Sequence, residues 1–150
     1  MKAVLQRVLS ANIHVNNRLI AEIGKGYLVF LGIGLNDNLE IAKFLAHKIC
    51  NLRAMADENN KMNLNLNSAQ GSLMIVSQFT LYADLKKGNR PSFINAMHPE
   101  KANEIYDFFV KECEHLLGKE RVVTGIFGAD MKIQLINDGP VTFVYDFDHL

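Results

Sequence analysis

Apolar and polar residues alternate along much of the first third of the chain, a period typical of β-strands. The alternation runs over residues 3–9 and resumes at residues 18–23, after the turn signal Asn16-Asn17. A second turn, Gly24-Lys25-Gly26, leads into a continuous apolar run at residues 27–31. This run predicts a strand that is buried on both faces.

The apolar period becomes helical in two later segments. We expect Asp37 to cap the first helix, with Glu40 completing a capping box, and the helix to end near Met55. Pro99 suits the first position of a second helix, and Gly118 suits its C-terminal end.

The remaining apolar segments predict further strands. A central strand is expected at residues 73–81, a surface loop at 83–91, and closing strands at 122–124, 131–136 and 141–147. The order strands, helix, strand, helix, strands favours an α+β domain over a parallel α/β domain.

Composition narrows the class of protein. The chain has 150 residues, 49% of them hydrophobic and 21% charged, which fits one folded domain spanning residues 1–150. Sixteen basic residues balance sixteen acidic ones, which argues against non-specific coating of nucleic acid but leaves room for one small basic patch. Cys50 and Cys113 are too few for a disulfide framework, and we expect them to be buried thiols in a reducing compartment.

Several common sites and segments are not expected. Gly32-Ile33-Gly34 resembles the start of a dinucleotide loop, but Asp37 stands where the third glycine should be. No histidine has metal-ligand spacing, so we expect no metal, and His47 and His115 should be solvated. Gln6 and Arg7 interrupt the N-terminal apolar run, and no apolar run reaches about 18 residues, so neither a signal peptide nor a membrane span is predicted. A soluble cytoplasmic protein is expected.

The first segment with candidate chemistry is Ser77-Gln78-Phe79-Thr80-Leu81, where three polar side chains interrupt an apolar strand. Buried polar groups cost free energy unless they are hydrogen-bonded. Either the strand ends here in a turn, or its end opens into a pocket that is lined by an amide and hydroxyls. These five residues alone favour the turn by a small margin.

Two other segments invite a similar choice. Residues 137–142, Asn-Asp-Gly-Pro-Val-Thr, read as a β-turn between two strands, although both flanks are unusually strand-like. Residues 86–92 hold Lys86, Lys87 and Arg90, which form either a solvated loop or a local patch that binds phosphate.

Taken together, these segments resemble the D-aminoacyl-tRNA deacylases, formerly called D-tyrosyl-tRNA deacylases. Residues 77–81 and 137–142 match the signature pair of that family in order and separation. Further matches span the chain at Gln6-Arg7-Val8, residues 61–65, residues 88–93 and Ala129-Asp130-Met131. Either main motif alone would be weak, but the two together are highly specific.

The resemblance implies a function. Family members hydrolyse the ester between a D-amino acid and the 3′-terminal ribose of tRNA, and they also remove glycine mischarged onto tRNA for alanine. They are homodimers without a metal or cofactor, and each active site lies at the dimer interface. The Gly139-Pro140 pair is expected to have a cis peptide bond and to enter the partner's pocket, where its carbonyls exclude an L side chain. The fold expected on both grounds is α+β, with a mostly antiparallel, barrel-like sheet and two main helices.

The same resemblance assigns roles to residues. Ser77, Gln78, Phe79 and Thr80 are the expected catalytic residues, with backbone N–H groups and the Gln78 amide as oxyanion donors. Thr80 acts either as a nucleophile or, as we prefer, by orienting groups while the substrate's ribose 2′-hydroxyl activates water. Arg7 is similar to the family arginine that supports the Gly-Pro motif. Lys86, Lys87 and Arg90 are candidate tRNA contacts.

Two other functions stay open at this point. One is a non-catalytic sensor of the tRNA acceptor end, although an adenosine pocket would sooner use aromatic stacking than Gln78 and Thr80. The other is an esterase that acts on small acyl esters. The expected partners are a second copy of the chain and the 3′-terminal adenosine of an aminoacyl-tRNA, without DNA or a membrane.

Overall fold

The computed structural model describes residues 1–147. The strands are β1 Lys2–Val15, β2 Arg18–Ile23, β3 Gly26–Gly32, β4 Met55–Ala56, β5 Met62–Leu64, β6 Ser72–Ser77, β7 Val122–Thr124 and β8 Lys132–Asp146. The α-helices are α1 Leu39–Cys50 and α2 Pro99–Leu117, and two short 3₁₀ turns span Phe79–Tyr82 and Lys119–Arg121. The result is an α+β fold in which the main sheet is nearly closed and barrel-like.

The long strand β1 organises the main sheet. Along one edge it pairs with β8, and along the other it pairs first with β3 and then with β2. β6 adds to β3, and β7 adds to β6, and both of these pairings are parallel. The expectation of a mostly antiparallel sheet therefore needs correction, because the sheet is mixed. The reason lies in the connections, since α1 falls between β3 and β6 and α2 between β6 and β7, which gives each parallel pair a helical crossover.

β8 replaces two of the predicted closing strands. The β-turn expected at residues 137–142 does not separate two strands, because β8 runs continuously from Lys132 to Asp146 along β1. Val8 pairs with Asn137 and Gln6 pairs with Thr142, so residues 138–141 all lie opposite Arg7. We call these four residues the β8 bulge. A bulge bends the strand locally and redirects its side chains.

The helix ends follow local chemistry. Asn38, rather than Asp37, caps α1, because its side chain accepts a hydrogen bond from the Ile41 N–H at 3.0 Å. α1 ends at Cys50, well before the predicted end near Met55, which lies in β4. α2 begins at Pro99 as predicted, and Gly118 follows it with φ 94.

Two hydrophobic clusters fill the fold. The larger packs α1 and α2 on the sheet and buries Leu45, Ile49 and Phe109 completely. The smaller includes Val8, Ile13, Leu28 and Met74. Each such side chain contributes about 1.5–3 kcal/mol through burial.

The cysteines and two of the histidines lie where the sequence predicted. Cys50 and Cys113 are buried free thiols, and a hydrogen bond to Cys50 together with burial raises the pKa of the Cys113 thiol. His47 and His115 are exposed on their helices.

Candidate active site

The signature segment at residues 77–80 lies where β6 ends. The Gln78 N–H donates to the Leu31 carbonyl at 2.8 Å, and the chain then enters the Phe79–Tyr82 turn. The strand predicted to reach Leu81 thus stops at Ser77. The strand end that the sequence favoured is correct, and it also leaves Phe79 and Thr80 exposed to solvent.

Gln78 and Thr80 are joined directly. The Gln78 Nε2 atom donates to the Thr80 Oγ1 atom at 2.5 Å. Because Oγ1 accepts this bond, the hydroxyl hydrogen of Thr80 is directed elsewhere. The pair therefore presents an oriented hydroxyl at the surface of the chain.

Phe79 has an aromatic neighbour that the predicted site did not include. The rings of Phe79 and Phe93 meet edge to face, with centroids 4.9 Å apart and an interplanar angle of 68°. Phe93 belongs to the matched segment 88–93, which is the sequence signal that could have identified it. The contact connects the turn to the segment that follows the basic residues.

Lys86, Lys87 and Arg90 lie in an exposed loop just beyond the turn. Asp84 and Ser92 exchange two backbone hydrogen bonds of 2.7 and 3.1 Å, which close the loop at its base. We call residues 85–91 the basic loop. All three cationic side chains are exposed.

The Gly139-Pro140 pair lies in the β8 bulge. Its peptide bond is cis, Gly139 has φ 131, and both residues are exposed. A φ of this size is accessible almost only to glycine. The pair is open to solvent on a single chain.

Arg7 supports the bulge from β1. Its side chain is almost completely buried, and its Nε atom lies 3.1 Å from both the carbonyl oxygen and the Oδ2 atom of Asp138. Its Nη1 atom donates to the Ala54 carbonyl at 2.8 Å. Arg7 therefore joins the bulge to the segment that follows α1.

Tyr27 holds that segment in turn. Its hydroxyl accepts a hydrogen bond from the Ala54 N–H and donates one to the Leu52 carbonyl, each at 3.2 Å. Burial is the main cause that raises the pKa of Tyr27 to about 12. The sequence did not predict three residues of this network, Tyr27, Ala54 and Asp138. Ala54 and Asp138 contact Arg7, and Tyr27 contacts Ala54, and each of these contacts joins distant parts of the sequence.

One chain does not bring the two signature segments together. Two strands, β1 and β3, lie between β8 and β6, which corresponds to about 14 Å along the sheet. Among residues 1–147, no hydrogen bond, ion pair or ring contact joins residues 77–80 to Gly139 or Pro140.

Two cavities lie elsewhere on the part of the chain that the structure describes. One measures about 670 Å³, and its lining includes Lys2, Gly34, Tyr82, Lys86 and Asn95. Another measures about 430 Å³ and lies beside Phe44, Arg53 and Tyr145. Neither cavity is lined by Ser77, Gln78, Phe79 or Thr80, nor by Gly139 or Pro140.

Within residues 1–147, no three His, Cys, Asp or Glu side chains cluster so that they could hold a metal ion. No helix in the same range is long and apolar enough to cross a membrane.

Known proteins resemble this chain over almost its whole length. A family model described as D-Tyr-tRNA(Tyr) deacylase matches residues 4–146. A D-aminoacyl-tRNA deacylase of Haemophilus influenzae (strain PittEE) is 54% identical over 95% of this chain and 97% of its own length. A protein of the same name from Flavobacterium psychrophilum is 51% identical over 97% of each chain.

Solved structures agree with the fold. A structure of the c-Myc DNA Unwinding Element Binding Protein superposes with a TM-score of 0.92 at 39% identity, covering 97% of this chain and 98% of that one. A probable eukaryotic D-amino acid tRNA deacylase shares the fold with a TM-score of 0.84 at 17% identity, over the same shares of both chains. The family match over residues 4–146 and the 54% identity to the Haemophilus influenzae protein show that the chain belongs to the D-Tyr-tRNA(Tyr) deacylase family.

Proposed function

We propose that this protein hydrolyses the ester between a D-amino acid and the 3′-terminal ribose of tRNA. Water adds to the acyl carbon, the bond to the ribose oxygen breaks, and that oxygen takes the proton. The observation that carries the proposal is the exposed Gln78–Thr80 pair at the end of β6, in a chain that matches the deacylase family over residues 4–146. Such a reaction takes place where aminoacyl-tRNA is made, so we place the protein in the cytoplasm.

Multiple turnover is the direct test of this activity. With D-tyrosyl-tRNA in large excess over protein, we expect many equivalents of free tRNA per chain. A non-catalytic sensor of the acceptor end would protect or leave the ester, and release of one equivalent or less would overturn the proposal. An esterase for small acyl esters would hydrolyse D-tyrosine esters that lack the terminal adenosine as fast as the tRNA ester.

Thr80 is proposed to orient groups rather than to attack the ester. The Thr80 Oγ1 atom accepts a hydrogen bond from the Gln78 side-chain amide, so the hydroxyl hydrogen of Thr80 can point to the substrate or to water. Among residues 1–147, no carboxylate or imidazole accepts a hydrogen bond from Thr80, so a base for a nucleophilic hydroxyl is missing there. Phe79 and Thr80 are the first residues of the 3₁₀ turn, so their N–H groups have no acceptor within it. We propose these two N–H groups as the oxyanion donors.

Substitution and trapping separate the two roles of Thr80. We expect Thr80→Ala to lower kcat about a hundredfold, as loss of one transition-state donor does. Thr80→Ser keeps the hydroxyl and should keep most of the activity. Acid-quenched wild-type reactions should show no acyl group on the protein by mass spectrometry, and an acyl-enzyme on Thr80 would contradict the orienting role.

The complete site is proposed to need two copies of the chain. Gly139 and Pro140 stand exposed on the β8 bulge, and β8 is an edge strand that carries exposed Ile136 and Val144. A long edge with exposed apolar side chains is a surface that proteins normally cover. In a two-fold dimer the bulge of one copy would reach the Phe79–Tyr82 turn of the other.

The proposed filter acts through backbone atoms. Carbonyls of the Gly139-Pro140 pair would occupy the space that the Cβ of an L-amino acid needs, whatever side chain follows. Such a filter accepts many D side chains. It also admits glycine, which has no Cβ, so glycine on tRNA for alanine is a proposed second substrate and should be hydrolysed in the same assay.

Mixed dimers test whether the filter comes from the partner. Gly139→Ala homodimers are expected to hydrolyse both D- and L-tyrosyl-tRNA. Thr80→Ala homodimers are expected to hydrolyse D-tyrosyl-tRNA about a hundredfold more slowly than the wild type and to leave L-tyrosyl-tRNA intact. When Gly139→Ala chains are co-expressed with excess Thr80→Ala chains, most Gly139→Ala chains pair with a Thr80→Ala chain. In such a mixed dimer the Phe79–Tyr82 turn that keeps Thr80 faces the partner's β8 bulge, which keeps Gly139. L-tyrosyl-tRNA hydrolysis should then fall while D-tyrosyl-tRNA hydrolysis persists. A shared site would be contradicted if the rate of L-tyrosyl-tRNA hydrolysis per Gly139→Ala chain stayed unchanged. It would also be contradicted if light scattering showed the wild-type protein to be a monomer.

The basic loop is proposed to contact the tRNA backbone. Lys86, Lys87 and Arg90 are exposed and follow Thr80 by six to ten residues. Replacing one of them should weaken binding and reduce the slope of log affinity against log salt by about 0.7–0.9. Lys25→Ala, an exposed lysine in the β2–β3 turn, is the control and should leave the slope unchanged. Because one structural neighbour is named for a DNA element, duplex DNA serves as competitor, and the neutral chain is expected to prefer the tRNA.

A further inference from the structure

A buried carboxylate lies behind the Phe79–Tyr82 turn. Asp37 is 7% exposed, and its Oδ2 atom accepts hydrogen bonds from the Gly34 N–H at 2.6 Å and from the Tyr82 hydroxyl at 3.2 Å. Its Oδ1 atom pairs with the α-amino group of Met1. Asp37 therefore joins the segment after β3 to the last residue of the turn.

Two glycines let the turn approach β3 closely. A Cβ on Gly34 would lie 2.4 Å from the Cζ atom of Tyr82, so the tyrosine ring covers this glycine directly. A Cβ on Gly32 would lie 3.0 Å from the Gln78 carbonyl oxygen and 3.0 Å from the Cβ of Leu81. The Gly32-Ile33-Gly34 segment is thus a surface on which the turn rests, and this explains a motif that only superficially resembles a nucleotide loop.

We propose that Asp37, acting through the Tyr82 hydroxyl, is a positioning residue for the turn that carries Phe79 and Thr80. The catalytic meaning of this positioning rests on the proposed deacylation. Tyr82 is 5% exposed, whereas Thr80 is exposed two residues earlier in the same turn. A 3₁₀ turn rises about 2 Å per residue, so Thr80 lies about 4 Å from Tyr82 along the axis of the turn. A shift of the Tyr82 ring therefore moves the backbone that carries Thr80.

The hydrogen bond from Tyr82 restrains the position of its ring. Gly34 offers no side chain against sliding of the ring, and the Nζ atom of Lys2 lies 5.0 Å from the ring centroid, whereas the hydroxyl must stay within reach of the Asp37 carboxylate. Hydrogen bonds to a charged partner are stronger than neutral ones. Small displacements of a catalytic group cost much more in rate than in stability.

Tyr82→Phe removes only the hydroxyl and keeps the ring over Gly34. We expect it to lower kcat for D-tyrosyl-tRNA roughly ten- to a hundredfold while KM stays near the wild-type value. Hydrogen exchange at the Leu81 and Ala83 amides, which bind the Gln78 and Thr80 carbonyls, should become faster.

Tyr106→Phe is the matched control. Tyr106 is also buried, and its hydroxyl donates to the Ile75 carbonyl at 2.8 Å, away from Asp37. This variant should lose comparable thermal stability and yet keep kcat and the exchange rates of the turn.

The outcomes separate this inference from the proposed function. The positioning role is overturned if Tyr82→Phe keeps the wild-type kcat and the wild-type rate of hydrogen exchange at Leu81 and Ala83. It is also overturned if kcat falls equally in Tyr106→Phe. If wild-type protein does not hydrolyse D-tyrosyl-tRNA but Tyr82→Phe still speeds exchange at Leu81 and Ala83, the proposed function is wrong and Asp37 still positions the turn.

Discussion

The Nε atom of Arg7 lies 3.1 Å from two oxygens of Asp138, its carbonyl oxygen and its Oδ2 atom. The rest of the guanidinium extends to the Ala54 carbonyl. One buried cation on β1 thus holds both the backbone and the side chain of the residue that precedes Gly139.

Arg7→Lys should loosen the β8 bulge. A lysine ammonium has no planar fork and cannot reach Asp138 and Ala54 together. We expect the free energy of unfolding to fall by about 2–3 kcal/mol, because hydrogen bonds to a charged group are lost in a buried place. Denaturant unfolding measures this loss, and the ratio of D- to L-tyrosyl-tRNA hydrolysis should fall with it. Arg18→Lys, at an exposed arginine of β2, is the control, and equal effects in both variants would argue against a specific role of Arg7.

Gly139→Ala should disturb the bulge in a different way. The new Cβ would lie 2.7 Å from the Cγ2 atom and 2.9 Å from the N atom of Val141, at a φ that L-residues avoid. We expect a loss of about 1–3 kcal/mol in unfolding free energy and measurable hydrolysis of L-tyrosyl-tRNA. Gly128→Ala has a positive φ but an open site, so it should keep full chiral selectivity. Selectivity that is intact in Gly139→Ala would contradict the proposed filter.

Gly34→Ala should displace the Phe79–Tyr82 turn. Its Cβ would overlap the ring of Tyr82, which is held between Gly34 and Asp37. We expect a lower melting temperature and a large loss of deacylation. Gly24→Ala places its Cβ where no atom lies within 4 Å, so it should be neutral or slightly stabilising. Equal activity in the two variants would show that close approach to β3 does not matter.

Stability should decrease in strongly alkaline solution. The pKa of Tyr27 is raised to about 12 in the folded protein, chiefly by burial, whereas an unfolded tyrosine ionises near pH 10. The unfolded state therefore loses this proton first, so the stabilisation is complete below pH 10 and is lost as the pH rises from 10 to 12. One such group contributes a slope of about 1.4 kcal/mol per pH unit.

Unfolding by denaturant between pH 9 and 12 measures that slope. Tyr27→Phe should be less stable at pH 9, because Ala54 loses its partner, but should show a shallower alkaline decline. An identical slope in Tyr27→Phe would mean that Tyr27 is not the titrating group. Tyr106, whose pKa burial also raises, is expected to account for part of the slope that remains.

Local signals predicted much of the fold. Asn16 and Asn17 both have positive φ in the tight turn between β1 and β2, and Pro99 and Gly118 bound α2 as expected. The parallel pairings were missed because the pattern of a strand does not reveal its neighbour. Asp37 was misassigned as a cap because two of its buried partners, the α-amino group of Met1 and the Tyr82 hydroxyl, are brought to it by tertiary contacts.

The candidate site was only partly visible in the sequence. The two signature segments stood out through a resemblance, and the structure adds the contacts that hold them. Arg7 was named from the sequence, but its contacts with Tyr27 and Asp138 follow from the register of β1 against β3 and β8, which no local pattern contains. Ala54 joins them through hydrogen bonds to the side chains of Arg7 and Tyr27.

Chiral selection by the wild-type protein tests the central claim most directly. Equal amounts of D- and L-tyrosyl-tRNA are incubated with the same preparation, and ester loss is followed against a sample without protein. The account predicts rapid catalytic loss of the D-ester, while the L-ester decays at its uncatalysed rate. Loss of neither ester, or equally fast loss of both, would contradict it.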